Sequence, residues 1–142
     1  MGSQPKTARH IWGRTGRIQS DSLASAEEAV TRGGFDAVIV APCTGNTLAK
    51  LAHSIADTPV TMAAKSHLRN GRPVIVAVST NDGLAGAAEN IGRLLARKHY
   101  YFVPFGQDDA FGKPTSLVAD FSQIPAALDA AMENRQLQHI LL

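Results

Sequence analysis

Val38 to Ile55 reads VIVAPCTGNTLAKLAHSI, and it decides the fold. Four apolar residues run up to Pro42, small polar residues turn the chain, and a helical pattern starts at once. A buried strand that feeds a helix through Thr44-Gly45-Asn46-Thr47 aims free backbone N–H groups and the positive helix end at one spot. Such a spot suits a phosphate or an electron-rich ring. If the rest of the chain builds a parallel sheet around this turn, nucleotide or flavin binding is the expected use.

The remainder of the chain supplies that sheet. Asp21-Ser22 is a helix start, followed by Leu23, Ala26 and Val30 at helical spacing, and Gly33-Gly34 is a stop. Ala37 to Ala41 is a short continuous apolar strand, the pattern of a strand covered on both faces. Leu48, Leu51, Ala52 and Ile55 fall on one helix face, and Asp57-Thr58-Pro59 breaks it. A second helix is predicted over Pro59 to Arg69, stopped by Asn70-Gly71. Pro73 to Val78 is the next buried strand, followed by the polar turn Ser79-Thr80-Asn81-Asp82-Gly83. Leu84, Ala87, Ala88, Ile91, Leu94 and Leu95 give the cleanest helical stripe. Tyr100 to Pro104 reads as a strand, Phe105 to Pro114 as a polar loop, Leu117 to Ala119 as a short strand or an extended segment, and Ile124 to Met132 as a closing helix. Residues 1–20 carry three glycines and five basic side chains without sustained periodicity, and are read as a loose arm, or the remains of an earlier element, before an α/β domain over 21–142.

Strands alternating with helices imply right-handed crossovers and a parallel sheet. Ligands of such sheets bind beyond the carboxyl ends of the strands. Two turns are expected there, one after Ala41 and one after Val78.

Composition narrows the function classes. The chain has 142 residues, 44% apolar and 18% charged, enough for one domain with a real core. A formal charge of +2 and few aromatics argue against a nucleic-acid binder. No apolar run approaches the roughly 20 residues of a bilayer span. Cys43 is the only cysteine, so an intrachain disulfide is impossible and a reducing, cytoplasmic setting is expected. The histidines, His10, His53, His67, His99 and His139, show no metal-ligand spacing.

Pro42 to Thr47 is the leading candidate site. Gly45 lets backbone approach a ligand, and Thr44, Asn46 and Thr47 offer donors and acceptors. Against this stands a plain helix cap by Thr44 or Asn46. The turn is neither a Walker loop nor a dinucleotide glycine fingerprint, because it holds one glycine and no Gly-Lys-Ser/Thr run. Ser79, Thr80 and Asn81 are its expected partners across the rim. Cys43 reads better as a small buried thiol than as a nucleophile, Asp108-Asp109 as a solvated turn, and Lys65, Arg69 and Arg72 as a solvated basic face.

Ala41-Pro42-Cys43-Thr44-Gly45-Asn46-Thr47, continuing through Leu48 to Ala52 and Ile55-Ala56-Asp57, resembles the Ala-Pro-x-x-x-Asn-Thr signature of the flavoprotein family of homo-oligomeric FMN-containing cysteine decarboxylases. The stretches 58–84, 90–95, 101–109 and 113–120 extend the likeness, which runs from about Phe35 to Asp120. It implies a flavodoxin-like, Rossmann-like three-layer α/β/α fold, FMN or a related flavin as ligand, and homo-oligomeric assembly, trimeric or higher. The flavin-contacting residues carried over are Pro42, Cys43, Thr44, Gly45, Asn46 and Thr47, facing Ser79, Thr80 and Asn81. It also implies an oxidoreductase role, in which a small anionic dicarboxylate, dihydrodipicolinate, is oxidised during sporulation alongside a separate NAD(P)-binding subunit.

Two departures qualify the resemblance. Ser79-Thr80-Asn81-Asp82 replaces the decarboxylases' Pro-Ala-Met-Asn motif, which argues against cysteine-type decarboxylation. Nothing before residue 20 matches the family's leading strand and Thr-Gly-Ser phosphate loop, so no catalytic residue is assigned. A second reading therefore stays open: a non-catalytic assembly or binding subunit that kept the fold and lost FMN.

Overall fold

The computed structural model describes residues 10–13 and 16–19 as strand backbone and residues 36–142 in full. The helix expected over 23–30 lies outside the described residues. At the centre of the sheet, β3 (Val38–Cys43) runs parallel to β4 (Val74–Thr80), with Val38, Ile39 and Val40 opposite Val74, Ile75 and Val76. These side chains are almost wholly buried, which explains why both strands read as unbroken apolar runs. Cys43 then pairs with Val78, so β3 spends one more residue than β4 between these points. The extra residue falls around Pro42, whose nitrogen has no hydrogen to give the ladder.

On one side of β3 lie β1 (His10–Gly13) and β2 (Gly16–Gln19), antiparallel to each other, with His10 opposite Ile39. This corrects the loose-arm reading for those residues. Ile11 pairs with Ile18, and period-2 signals this short, interrupted by glycine and arginine, do not stand out in a sequence.

The other edge of β4 is shared. Its first half pairs in parallel with β5 (Tyr100–Phe102), and its end pairs antiparallel with β7 (Leu117–Ala119) through Ser79–Val118 and Thr80–Leu117. β6 (Phe105–Gly106) in turn pairs with β7. The polar loop expected from Phe105 thus begins two residues later, because buried Phe105 joins the core beside Phe102. Gln136 closes the far side of β5. Its amide nitrogen donates to the Phe102 carbonyl at 2.6 Å, and its amide oxygen accepts from the Phe102 N–H at 2.7 Å.

Helices α1 (Gly45–Ala52) and α2 (Pro59–Arg69) connect β3 to β4, and α3 (Ala88–Leu95) connects β4 to β5. Leu48, Leu51 and Leu94 bury the stripes read from the sequence. Helix α4 (Ile124–Met132) packs on β4 and β5 and completes the α/β/α layering, the flavodoxin-like arrangement expected. No helix among the described residues is long and apolar enough to cross a membrane.

Helix α2 ends where the sequence places it and α1 ends early, both by the same device. At α2 the Arg72 N–H reaches the His67 carbonyl and the Gly71 N–H the Leu68 carbonyl, with Gly71 at φ 71°. At α1 the Ile55 N–H reaches the Lys50 carbonyl, with Ser54 at φ 58° in the glycine-like position. Ile55 therefore leaves the stripe predicted for it and is 48% exposed. The helix expected from Leu84 starts only at Ala88. Residues 81–87 form turns held by Leu84 N–H to Thr115 carbonyl and by two N–H groups on the Asp82 carbonyl, which turns Leu84 outward.

His67 is fully buried. Burial pushes its pKa below the ordinary histidine value, against a smaller raising influence from Asp36. The folded state thus binds a proton less readily than the unfolded chain, whose histidine titrates near ~6.5. This contribution to stability is complete above that pH and is lost as pH falls below it, at up to about 1.4 kcal/mol per pH unit. Urea unfolding at pH 7.5, 6.0 and 5.0 is expected to show this slope in the native chain and a shallower one in His67→Leu.

Candidate functional site

The turn after β3 and the turn after β4 meet at the carboxyl rim of the sheet. Thr44 and Gly45 from the first, and Ser79, Thr80 and Asn81 from the second, line one cavity of about 420 Å³. That volume lies within the range of small-ligand sites. The far wall comes from the excursion between β6 and β7, which contributes Asp108, Lys113 and Ser116, and from Val118 of β7 itself. The placement follows from the shared edge of β4: β7 pairs with Ser79 and Thr80 and so carries the excursion directly over the rim.

Local chemistry sets what each group offers. The Thr44 hydroxyl accepts from the Thr47 N–H at 3.5 Å and caps α1, so the plain-cap reading holds for that side chain. Thr80 donates its hydroxyl to Asp82. A Cβ on Gly45 would stand 2.8 Å from Thr80 Oγ1 and 3.2 Å from Asp82 Oδ1. Gly45 is therefore the point where the start of α1 and the β4 turn touch. Thr115 donates its hydroxyl to the Asn81 carbonyl at 2.7 Å, tying the second turn to the excursion.

Asp108 lines the cavity, while its neighbour Asp109 folds the excursion: Asp109 Oδ1 accepts from the Gly112 N–H at 2.9 Å, and its carbonyl accepts from the Lys113 N–H at 2.8 Å. A hydrogen bond from Ser116 holds the Asp108 carboxyl below the usual aspartate range, and the charge of Lys113 acts in the same direction. Lys113 is the cation of the lining.

Of the nine residues expected at the site, Thr44, Gly45, Ser79, Thr80 and Asn81 are brought together here. The other four lie outside the lining. Pro42 sits in the strand irregularity, Cys43 is fully buried in the core, Asn46 is exposed, and Thr47 is buried beneath the cap. Asp108, Lys113, Ser116 and Val118 were not foreseen. Their signal was weak, because nothing in a Gly- and Pro-flanked segment shows which rim it crosses. Among the described residues no group of histidine, cysteine and carboxylate side chains is arranged to hold a metal.

The flavoprotein family matches residues 4–107. The chain belongs to the flavoprotein family. Within it, the chain is 41% identical over 142 residues, all of its own length and 71% of the relative's, to the dipicolinate synthase B subunit of Bacillus subtilis (strain 168). Among solved structures, the flavoprotein fold seen here superposes on the dipicolinate synthase B subunit from Bacillus halodurans C with a TM-score of 0.83 and 45% identity, covering 86% of this chain and 63% of that one. The FMN-dependent cysteine decarboxylase SpaF aligns with a TM-score of 0.55 and 24% identity over the same shares, a likeness of fold. The chain thus spans less than two thirds of each of these solved structures.

The two rim glycines should respond differently to a methyl group. At Gly83 a Cβ would lie within 2.8 Å of Leu117 Cβ, Cγ and Cδ1, the body of a buried side chain that cannot swing away. Gly83→Ala is expected to cost about 1–3 kcal/mol by overpacking. At Gly45 the nearest atom is Thr80 Oγ1 at 2.8 Å, which must shift along with its bond to Asp82, and at this first position of α1 alanine gains at most the ~1 kcal/mol it gains in a helix interior. Gly45→Ala is expected to leave stability within about 1 kcal/mol of the native chain. Urea unfolding of both variants checks the contrast.

Proposed function

We propose that the chain acts as the B subunit of a dipicolinate synthase, holding FMN or the dihydrodipicolinate substrate at the rim cavity while dihydrodipicolinate is oxidised to dipicolinate. The observation that supports this most is the convergence of the turns after β3 and β4 on one cavity that also contains a lysine. The resemblance to the B subunits of two dipicolinate synthases agrees with it.

The donor set fits the polar edge of a flavin ring or a dicarboxylate. Asn81, Ser79 and Ser116 present amide and hydroxyl groups, and Lys113 supplies a charge for a carboxylate. Pro42, Cys43, Asn46 and Thr47 support the cavity from behind or beside it in this reading. Asp108 stays ionised and offsets the charge of Lys113, so the wall carries one charge of each sign. Forming the aromatic ring removes a hydride and a proton from the dihydropyridine. A bound flavin supplies a two-electron acceptor at its ring. The chain's own groups orient the substrate carboxylates. The partner in this reading is the NAD(P)-binding A subunit of dipicolinate synthase, in the cytoplasm of a sporulating cell.

Purified protein is expected to show flavin absorbance, or a rise in melting temperature on adding FMN. Lys113→Ala is expected to weaken dicarboxylate binding about 10-fold or more, the value of a lost charge-assisted hydrogen bond. A colourless protein with no thermal response to FMN or to dipicolinate overturns the assignment.

Self-association is part of the same proposal. Leu84, Leu95 and Met132 are about half exposed, and Phe111 fully so. A second copy covering any of them would add to the homo-oligomeric assembly that the family resemblance implies. Light scattering is expected to give a mass of at least two chains, and a monodisperse monomer refutes this part.

A further inference from the structure

A second cavity, of about 480 Å³, opens at the other end of α1. Thr44 and Gly45 at the start of that helix line the rim cavity, whereas Lys50 and Leu51 near its end line this one. Eight helical residues, about 12 Å of axis, separate the two ends. The second cavity therefore belongs to the amino-terminal side of the sheet, where β5 begins at Tyr100.

Its floor is apolar. Leu51 and Tyr100 are nearly buried, Leu68 is half-buried, and Ile55 stands half exposed over the opening. Its rim is cationic, and no carboxylate contributes to the lining. Two of the cations are engaged. Lys50 pairs with Asp57 at 3.0 Å, and Arg97 donates to the Leu51 carbonyl at 3.0 Å and to the Ala52 carbonyl, which satisfies the end of α1. Lys65, Arg69 and Lys98 remain, with no ion-pair partner among the described residues.

A solvated basic face is the plain explanation for lone surface lysines. It accounts for Arg69, which complements the carbonyl end of α2. It does not account for an apolar hollow beneath the cations, with Ile55 left half in water by the early end of α1. Tyr100 adds a neutral donor at the back, since burial pushes its pKa up to about 12.

We propose that this cavity is a second ligand site, separate from the rim, for an amphiphilic anion: an apolar ring seated on Leu51, Leu68 and Tyr100, with a carboxylate or phosphate held by Lys65, Arg69 and Lys98. It requires no chemistry and stands independently of the reading of the rim. Because α1 carries one cavity at each end, occupancy here bears on the helix that also caps the rim turn.

The test uses the full chain and the fluorescent probe 8-anilinonaphthalene-1-sulfonate, an aromatic anion, under native conditions. One saturable site is expected, weakened by added salt and at least 10-fold weaker in the double variant K65E/K98E. Both substituted residues are exposed, and an unchanged melting temperature establishes that the variant is folded. Binding in Lys113→Ala should match the native chain. Displacement by pyridine-2,6-dicarboxylate identifies the head group as carboxylate, and displacement by adenosine monophosphate identifies it as phosphate. The proposal is overturned by non-saturable binding, by displacement with neither competitor at millimolar concentration, or by binding that survives K65E/K98E and disappears in Lys113→Ala. None of these results changes the expectation for FMN at the rim.

Discussion

The parallel ladder between β3 and β4 is the constraint on which the rest of the molecule depends. Val38 to Val40 and Val74 to Val78 are buried on both faces, so neither strand can slip without exposing apolar surface. Burial at about 25 cal/mol per Å² makes such a slip costly for every side chain involved. With the register fixed, the carboxyl ends of both strands must finish side by side. The turns that follow inherit that proximity, and Gly45 is the residue that permits their contact.

What lies over the rim depends on a second topological fact. β5 covers only the first half of one edge of β4, leaving the backbone of Ser79 and Thr80 for β7. The β6–β7 excursion is thereby anchored at the site rather than beside it. Its polar groups then serve two tasks. Asp109 and Thr115 fold it and fasten it to Asn81, while Asp108, Lys113 and Ser116 face the cavity. Adjacent aspartates with such different employment show that local composition does not determine role.

Much of this was legible in the sequence where burial writes a pattern. VIVA and PVIVAV announced strands covered on both faces, and Asn70-Gly71 marked a helix end that the structure realises with Gly71 at φ 71°. The convergence of the turns after Ala41 and Val78 followed from parallel topology alone. What escaped was decided by tertiary contacts. Leu84 satisfies the helical stripe, yet its N–H is taken by Thr115, thirty-odd residues away, so the helix waits until Ala88. Ile55 likewise fits the period of α1 but lies beyond a terminus set by Ser54 in a conformation that serines seldom adopt. Cys43, Asn46 and Thr47 sit within the signature turn, and the chain direction through β3 sends them to the core, the solvent and the cap.

The amide of Gln136 bears on a different hazard. The outward N–H and C=O of Phe102 are what a passing strand would grasp, and a single side chain satisfies both. One glutamine thus imitates a neighbouring strand and blunts a sheet margin that would otherwise template sheet growth between molecules. Resistance to aggregation in this fold therefore hangs, at that edge, on one residue that lines neither cavity, whose loss would show first in solubility and not in binding.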